Sequence, residues 1–215
     1  MLIPTTCPMC GATGPAPCEG CAALLRRAPA LPVPPGLDGC GAFLEYDGPG
    51  RELVARLKYR NARASVPFLA RGMAALILPD EVDVVTWAPT TPARRRERGF
   101  DQAELLARAV ARRLHLPCRR LLRRGPGPAQ TGRDAVARYA GPGFGPRRPV
   151  DGRRILLVDD VVTTGATVGA AARALREGGA GTVQVVAAAR TPPGRGHVHS
   201  AMVDRASQPE VRQWK

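Results

Sequence analysis

The sequence predicts an α/β protein with a mostly parallel sheet flanked by helices and a small cysteine-rich unit at its N-terminus. Apolar segments of strand length alternate with amphipathic segments of helix length from about residue 41 onward, which is typical of a parallel sheet. Four cysteines lie in the first 21 residues, a stretch too short to bury a core without metal. We expect three parts: the cysteine-rich unit with a Pro-rich linker (1–37), the α/β domain (38–191) and a polar, partly disordered tail (192–215).

The N-terminal cysteines have the spacing of a zinc site. Two CxxC pairs are separated by seven residues and consist of Cys7, Cys10, Cys18 and Cys21. Two such pairs place four thiolates around one ion, which predicts a zinc ribbon with one structural Zn²⁺. A disulfide pair and a redox dithiol are the alternatives. Cys40 and Cys118 are isolated; we expect Cys118 to be a small buried hydrophobe and assign no role to Cys40.

The elements after the linker follow from periodicity and turn residues. In chain order they are a strand at 41–47, helices at 51–60 and 66–78, a strand at 82–87 and a helix at 101–114. Residues 123–149 are rich in Gly, Pro and Arg with weak periodicity, so we expect a long mobile loop there. This loop contains Gln130 and Arg138, which are candidates for closing over a site.

Residues 155–167 are the most informative segment. Four apolar residues predict a buried strand, and Asp159 and Asp160 stand where we expect that strand to end. Hydroxyl residues and a glycine then lead into an amphipathic helix, and backbone N–H groups at a helix N-terminus favour a phosphate. The loop residues are Thr163, Thr164, Gly165, Ala166 and Thr167. A carboxylate pair suits ribose hydroxyls, so we expect a site for a sugar with a 5′-phosphate; a plain strand–turn–helix is the alternative.

This segment resembles the PRPP-binding signature of type I phosphoribosyltransferases: a hydrophobic strand, an acidic pair and Thr-Gly-(Gly/Ala)-(Ser/Thr). The resemblance implies that Asp159 and Asp160 hold the ribose hydroxyls at the catalytic centre, that residues 163–167 hold the 5′-phosphate, and that Mg²⁺ accompanies PRPP. In 6-oxopurine salvage enzymes an Asp stands directly before Thr-Gly and exchanges a proton with the purine. Here the residue is Thr163, which disfavours a purine acceptor because a hydroxyl is no base at neutral pH.

The order of motifs narrows the resemblance to the ComF family, which includes the GntX-like proteins and joins a cysteine-rich ribbon to a phosphoribosyltransferase domain. The matching segments are the two CxxC pairs, Leu57-Lys58-Tyr59, Pro89 followed by Arg94 to Arg98 and Gly99-Phe100-Asp101-Gln102, then Gln130 with Arg138, and 155–167. The chain departs from the family at Asp101, where Asn is common. It also lacks a second set of cysteine pairs, of which only Cys40 remains. The resemblance implies a role in DNA uptake during natural transformation.

The formal charge of +14 comes almost entirely from arginine. Eleven arginines and only three acidic residues lie between positions 94 and 124. Arg94, Arg95 and Arg98 follow a predicted strand end, on the side of a parallel sheet where ligands bind. They are candidates for contact with pyrophosphate or a DNA backbone, and a solvated helix N-terminal face is the alternative. An aromatic content of 4% argues against extended base stacking.

Three functions are compatible with these features. The one we favour is a ComF-type PRPP-binding protein that acts in DNA uptake or processing, with single-stranded DNA and competence-machinery proteins as partners and with catalysis left open. The others are a Mg²⁺-dependent phosphoribosyltransferase with an unidentified acceptor other than a 6-oxopurine, and a non-catalytic PRPP sensor. No apolar run reaches 18 residues and no signal-peptide pattern is seen, so we expect a cytoplasmic protein without membrane insertion. A homo-oligomer is compatible with the sequence.

Overall fold

A computed structural model describes residues 5–30, 32–57, 60–125 and 143–192. The helices and strands, in chain order, are α1 (Glu19–Ala23), β1 (Gly39–Glu45), α2 (Gly48–Arg56), α3 (Val66–Ala74), β2 (Val84–Trp87), α4 (Pro92–Arg98), α5 (Gln102–Leu114), β3 (Leu122–Arg124), β4 (Phe144–Pro146), β5 (Arg154–Val162), α6 (Ala166–Glu177) and β6 (Thr182–Arg190). Short 3₁₀ turns, Arg60–Ser65 and Pro79–Glu81, precede α3 and β2. None of the helices in these ranges is both long and apolar enough to span a bilayer.

Four strands form one sheet in the order β1-β6-β5-β2, and every neighbouring pair is parallel. The central strand β5 carries four consecutive buried apolar residues, 155–158, because both faces of the sheet are covered. Leu156 and Val158 pack into the core formed with α2, α3 and α5. Ile155 and Leu157 pack on the opposite face against α6. The predicted parallel sheet flanked by helices is therefore confirmed.

Two segments outside the strands hydrogen-bond to the outermost strands of the sheet. Residues 26–28 pair with β1, where the Ala28 N–H donates to the Phe43 carbonyl at 3.2 Å and the Glu45 N–H donates to the Arg26 carbonyl at 3.0 Å. The Arg26 guanidinium also contacts the Glu45 carboxylate at 3.0 Å. On the other side, residues 117–119 bracket Val85 of β2, with N···O distances of 2.9 Å in both directions. Both outer strands thus have backbone partners.

Cys118 lies in the second of these segments, where it pairs with Val85 as an isolated β-bridge. It is partly buried and packs against the hydrophobic core, so the predicted role as a small hydrophobe holds but its burial is incomplete. Cys40, to which the sequence assigned no role, is also partly buried, packs against the core on the α6 face of the sheet and accepts a weak hydrogen bond from Arg190 at 3.8 Å.

The helix α4 is absent from the sequence-based prediction. Its first turn is held by Thr91, whose Oγ1 accepts from the Arg94 N–H at 3.3 Å, and it ends at Gly99 with φ of 75°. No residue of α4 is buried, so the apolar periodicity that marks other helices is missing here. Its capping residues, Thr at the start and Gly at the end, are the signals that would have found it.

The ends of the predicted 123–149 loop form a short antiparallel hairpin instead of irregular chain. Arg124 of β3 pairs with Phe144 of β4, and the Gly125 N–H donates to the Gly143 carbonyl at 2.9 Å. The loop prediction was therefore too long at both ends. Gln130 and Arg138 lie outside the residues that the structure describes, as does the predicted tail from residue 193 onward.

Candidate functional site

The acidic pair lies on β5 just beyond the point where β2 ends. Pairing of β2 with β5 stops at Trp87 opposite Val158, whereas β6 continues to pair with β5 as far as Val162. Asp159 and Asp160 therefore belong to the strand, which runs past the expected end, and they have a strand neighbour on one side only. Asp159 is 7% exposed and Asp160 is half-buried. The Asp159 carboxylate accepts the Asp160 N–H at 2.9 Å.

The charge of Asp159 is poorly stabilised by the protein alone. Burial is the main cause that raises the pKa of Asp159 well above its ordinary value, and the neighbouring Asp160 carboxylate raises it further. The Asp160 N–H opposes this rise, and Asp101 adds to it. Buried carboxylates in this arrangement are stabilised by a cation or by hydroxyl donors, which are the groups that a magnesium-bound sugar phosphate presents.

The loop after β5 shares a concavity with Asp159. Gly165 has φ of +79° and is the N-cap of α6, a conformation that favours glycine because other residues are strained there. The side chains of Thr163 and Thr164 are exposed, while Gly165 is buried. A small pocket is lined by Asp159 together with Thr163, Gly165, Ala166 and Thr167. The structure thus brings Asp159 and most of the predicted loop to one pocket, whereas Asp160 and Thr164 are not among the residues that line it.

The Asp101 carboxylate links the first turn of α5 to the loop after β2. One carboxylate oxygen accepts the N–H groups of Ala103 and Glu104 at 3.1 and 3.4 Å, which caps α5. The other oxygen accepts the Thr90 N–H at 2.9 Å. Burial raises the pKa of Asp101, and the three backbone donors oppose that rise. The sequence analysis treated Asp101 as an acidic residue among the arginines and did not predict its role as a helix cap. An Asp directly before an amphipathic helix is the signal that would have indicated this role.

Arg124, which belongs to the arginine cluster, interacts electrostatically with Asp159, and the sequence analysis did not single it out. Its guanidinium donates to the Pro89 carbonyl at 3.0 Å and lies over the Phe144 ring at 5.2 Å from the centroid. Burial and the charge of Arg94 lower the pKa of Arg124, whereas the Asp159 and Asp101 carboxylates raise it. Its position depends on the β3–β4 hairpin, for which the sequence carries no periodic signal.

The three arginines predicted from sequence have different surroundings. Arg94 is exposed and its charge acts on Arg124. Arg95 is exposed and pairs with Glu104 at 3.5 Å, while Arg98 is half-buried and donates to the Gln102 side chain at 3.2 Å. Arg95 and Arg98 lie in the last turn of α4, where positive charge is favourable for a helix. Through Glu104 and Gln102 both side chains also lie beside the first turn of α5, so a solvated face at a helix N-terminus stays an alternative for them.

The four N-terminal cysteines form a cluster that fits a metal ion. Their sulfur atoms all lie within 4.8 Å of one another, and the Cys10 and Cys18 sulfurs are 3.6 Å apart. That separation is close to the roughly 3.8 Å between two thiolates on one tetrahedral zinc ion and far from the ~2.05 Å of a disulfide. The cluster therefore fits the predicted zinc ribbon.

The local backbone shapes both cysteine pairs. The Cys7 N–H donates to the Ala12 carbonyl at 2.7 Å and the Gly11 N–H returns to the Cys7 carbonyl at 2.9 Å, which closes a tight turn. Cys18 is the N-cap of α1, and Cys21 lies within this helix. Burial opposes ionisation of Cys7, but backbone N–H groups near the thiolate outweigh it and lower its pKa to about 6. Hydrogen bonds with the side chains of Cys18 and the other cysteines raise the pKa of Cys21 to about 12, so the four thiols do not all ionise without a cation.

A parallel sheet with an acidic pair and a hydroxyl-rich loop at the end of one strand defines a protein of the type I phosphoribosyltransferase class. Residues 101–212 match the phosphoribosyl transferase domain family. The chain is 32% identical to DNA utilization protein YhgH of Escherichia coli O6:H1, over 87% of this chain and 85% of that protein.

Two further relatives extend this result. Identity is 31% to the YhgH protein of Salmonella typhimurium, over 86% of this chain and 84% of that protein. It is 30% to competence protein ComFC of Bacillus subtilis, over 62% of this chain and 56% of that protein. The chain belongs to the ComF family of phosphoribosyltransferase-like proteins.

Proposed function

We propose that the protein binds PRPP together with Mg²⁺ at the pocket that Asp159 shares with the loop at 163–167, with Asp160 next to it on β5. The observation that carries this proposal is that Asp159 and the loop line one concavity at the end of β5. The backbone N–H groups at the start of α6 would receive the 5′-phosphate. The carboxylates of Asp159 and Asp160 would accept from the ribose hydroxyls.

We further propose that Arg124 and Arg94 bind the pyrophosphate of PRPP. Arg124 is half-buried and fixed by Pro89 and Phe144, so little rotamer freedom is lost when it binds an anion. Magnesium, when bound, neutralises charge on the pyrophosphate. If transfer occurs, the acidic pair lies where it stabilises positive charge on the ribose as pyrophosphate departs. Thr163 supplies no base for the proton exchange with a 6-oxopurine, which disfavours that class of acceptor.

Calorimetric titration with magnesium and PRPP tests the binding site. We expect the Asp159→Ala/Asp160→Ala variant to lose binding and stay folded, because removing both carboxylates relieves their mutual repulsion. The matched control is Asp80→Ala/Glu81→Ala, which removes two adjacent acids from the turn that precedes β2 and should bind like the wild type. Equal affinity of wild type and the 159/160 variant would contradict the site.

We also propose that the protein handles single-stranded DNA, as in uptake or processing during natural transformation. Support comes from the names of its relatives, a DNA utilization protein and a competence protein, and from the exposed arginines 94–96 of α4. Positive charge without aromatic side chains on which bases could stack predicts that DNA binds with little sequence preference and that its affinity falls steeply with salt.

The DNA proposal is tested by the salt dependence of single-stranded DNA affinity. Replacing Arg94, Arg95, Arg96 and Arg98 with Gln should flatten the log–log slope by about two units or more, since each phosphate contact contributes about 0.7. A control with the same loss of charge replaces four exposed arginines elsewhere: Arg51, Arg71, Arg147 and Arg148. A wild-type slope near zero, or a slope that becomes flatter by the same amount in both variants, would contradict the DNA proposal. It would favour a protein that binds PRPP only, either as an enzyme or as a sensor. Magnesium-dependent release of pyrophosphate from PRPP then distinguishes the enzyme from the sensor.

A further inference from the structure

The linker between the cysteine-rich unit and the sheet packs against the loop at the start of α6. A Cβ atom on Gly165 would lie 3.1 Å from Cγ and 3.2 Å from Cβ of Pro34. Gly165 is buried although Thr164 and Ala166 on either side are exposed. Pro34 itself is half-buried, whereas Pro35 is exposed. The proline ring therefore contacts the one residue of this loop that is shielded from solvent.

The same linker also contacts the other end of α6. The Asp38 carboxylate accepts from the guanidinium of Arg176, in the last turn of the helix, at 2.5 Å. It also accepts the Val183 N–H of β6 at 2.6 Å. Residues 34–38 thus touch α6 at its N-cap and at its final turn, which orients the helix relative to the linker.

The linker is fixed to the rest of the chain ahead of Pro34 as well. The Pro32 carbonyl accepts from the Arg190 guanidinium at 3.0 Å. Residues 26–28, which pair with β1, connect it to the cysteine-rich unit. Since Pro34 has hydrogen-bonded segments on both sides, its ring is held against Gly165 by the fold of the linker.

We propose that Pro34 is a positioning residue for the 5′-phosphate, and this proposal rests on the PRPP site proposed above. The loop binds an anion through backbone N–H groups, whose directions depend on the αL conformation of Gly165. Glycine is free to leave that conformation, and packing against a rigid proline restricts it. A loop that is already ordered binds its ligand more tightly, because less conformational entropy is lost on binding. Through this contact the linker that follows the cysteine-rich unit contributes to the affinity of the sugar-phosphate pocket for its ligand.

Calorimetry with three ligands tests this role on the full, zinc-loaded chain. Pro34→Gly should weaken PRPP and ribose 5-phosphate by about fivefold or more, because both carry the 5′-phosphate. Magnesium pyrophosphate should bind with unchanged affinity, since it lacks that group. Pro34→Val keeps Cβ and Cγ atoms and should restore most of the affinity. The matched control is Pro79→Gly, which makes the same substitution at an exposed proline outside the linker and should bind like the wild type.

Different outcomes of this experiment contradict the positioning role of Pro34 and the PRPP site on which it rests. Selective loss of the two 5′-phosphate ligands in Pro34→Gly, with recovery in Pro34→Val, supports the positioning role. Unchanged PRPP affinity in Pro34→Gly, an equal loss in Pro79→Gly, or an equal loss of magnesium pyrophosphate overturns it while leaving the PRPP site in place. A wild-type protein that binds neither PRPP nor ribose 5-phosphate overturns both proposals.

Discussion

At the scale of single residues, Asp159 combines burial with an adjacent like charge. Because its pKa is raised in the folded state, the folded protein holds this proton more tightly than the unfolded chain does. Stability is therefore lost as pH rises from about 4, the ordinary pKa of Asp, through the raised folded-state value. The pocket thus contains a carboxyl group whose ionisation destabilises the empty protein, which is common for residues that serve a ligand.

We predict that Asp159→Asn stabilises the protein at pH 8 and not at pH 4. Asn keeps an oxygen that accepts the Asp160 N–H and carries no charge, so the melting temperature in magnesium-free buffer should rise by a few degrees at pH 8. At pH 4 the wild-type carboxyl is already largely protonated, and the two proteins should melt together. Thermal unfolding followed by circular dichroism measures both values. An identical shift at the two pH values would show that the charge is not responsible.

Asp101 is a second residue whose effect follows from its hydrogen bonds. We predict that Asp101→Ala lowers the free energy of unfolding by about 1–2 kcal/mol, because the cap of α5 and the link to Thr90 are both lost. Eight residues of α5 are buried, so the loss reaches the core. Thr91→Ala removes the cap of α4, which buries none, and should leave global unfolding almost unchanged while α4 amides exchange faster. Urea unfolding with hydrogen exchange distinguishes these effects, and equal destabilisation by both changes would contradict the argument.

At the scale of helices and strands, two glycines inside helices have opposite surroundings. A Cβ on Gly72 of α3 would lie 2.2 Å from the Phe43 ring, whereas one on Gly169 of α6 would have only the Pro35 carbonyl, at 4.0 Å. We predict that Gly72→Ala destabilises the protein by about 1–3 kcal/mol through overpacking. Gly169→Ala should stabilise it by up to about 1 kcal/mol, because alanine favours helix. Urea unfolding of both variants provides the measurement, and a stabilising Gly72→Ala would disprove the close α3–β1 contact.

The elements that the sequence predicted are those with a strong apolar pattern. The buried run 155–158 and the amphipathic α5 were predicted at nearly their observed positions because burial itself creates the pattern. The helix α4 was missed because it buries nothing, and the β3–β4 hairpin because three-residue strands carry no period. At the candidate site, the short separation in sequence predicted that Asp159 lies near residues 163–167. Arg124 and Pro34 reach the same region only through tertiary contacts, which no local pattern records.

At the scale of the whole molecule, the cysteine-rich unit has too little apolar material to fold by itself. We predict about one zinc ion per chain in protein purified without added metal. Chelation should increase amide exchange in residues 5–24 and spare β5, β6 and α6, since the sheet has its own core. Elemental analysis and hydrogen exchange before and after chelation provide the readout. A quantitative disulfide count, or a loss of protection throughout the sheet, would contradict this division.

The backbone partners of β1 and β2 have a consequence for association between molecules. An outer strand with free N–H and C=O groups recruits strands from other chains, and this is a common origin of aggregation. Residues 117–119 occupy that position on β2 and belong to the α/β domain itself. On β1 the position is occupied by residues 26–28, which follow directly on the cysteine-rich unit. We therefore expect a truncated chain that starts after residue 30 to expose β1 and to precipitate or form strand-paired oligomers, which size-exclusion chromatography beside the full chain measures.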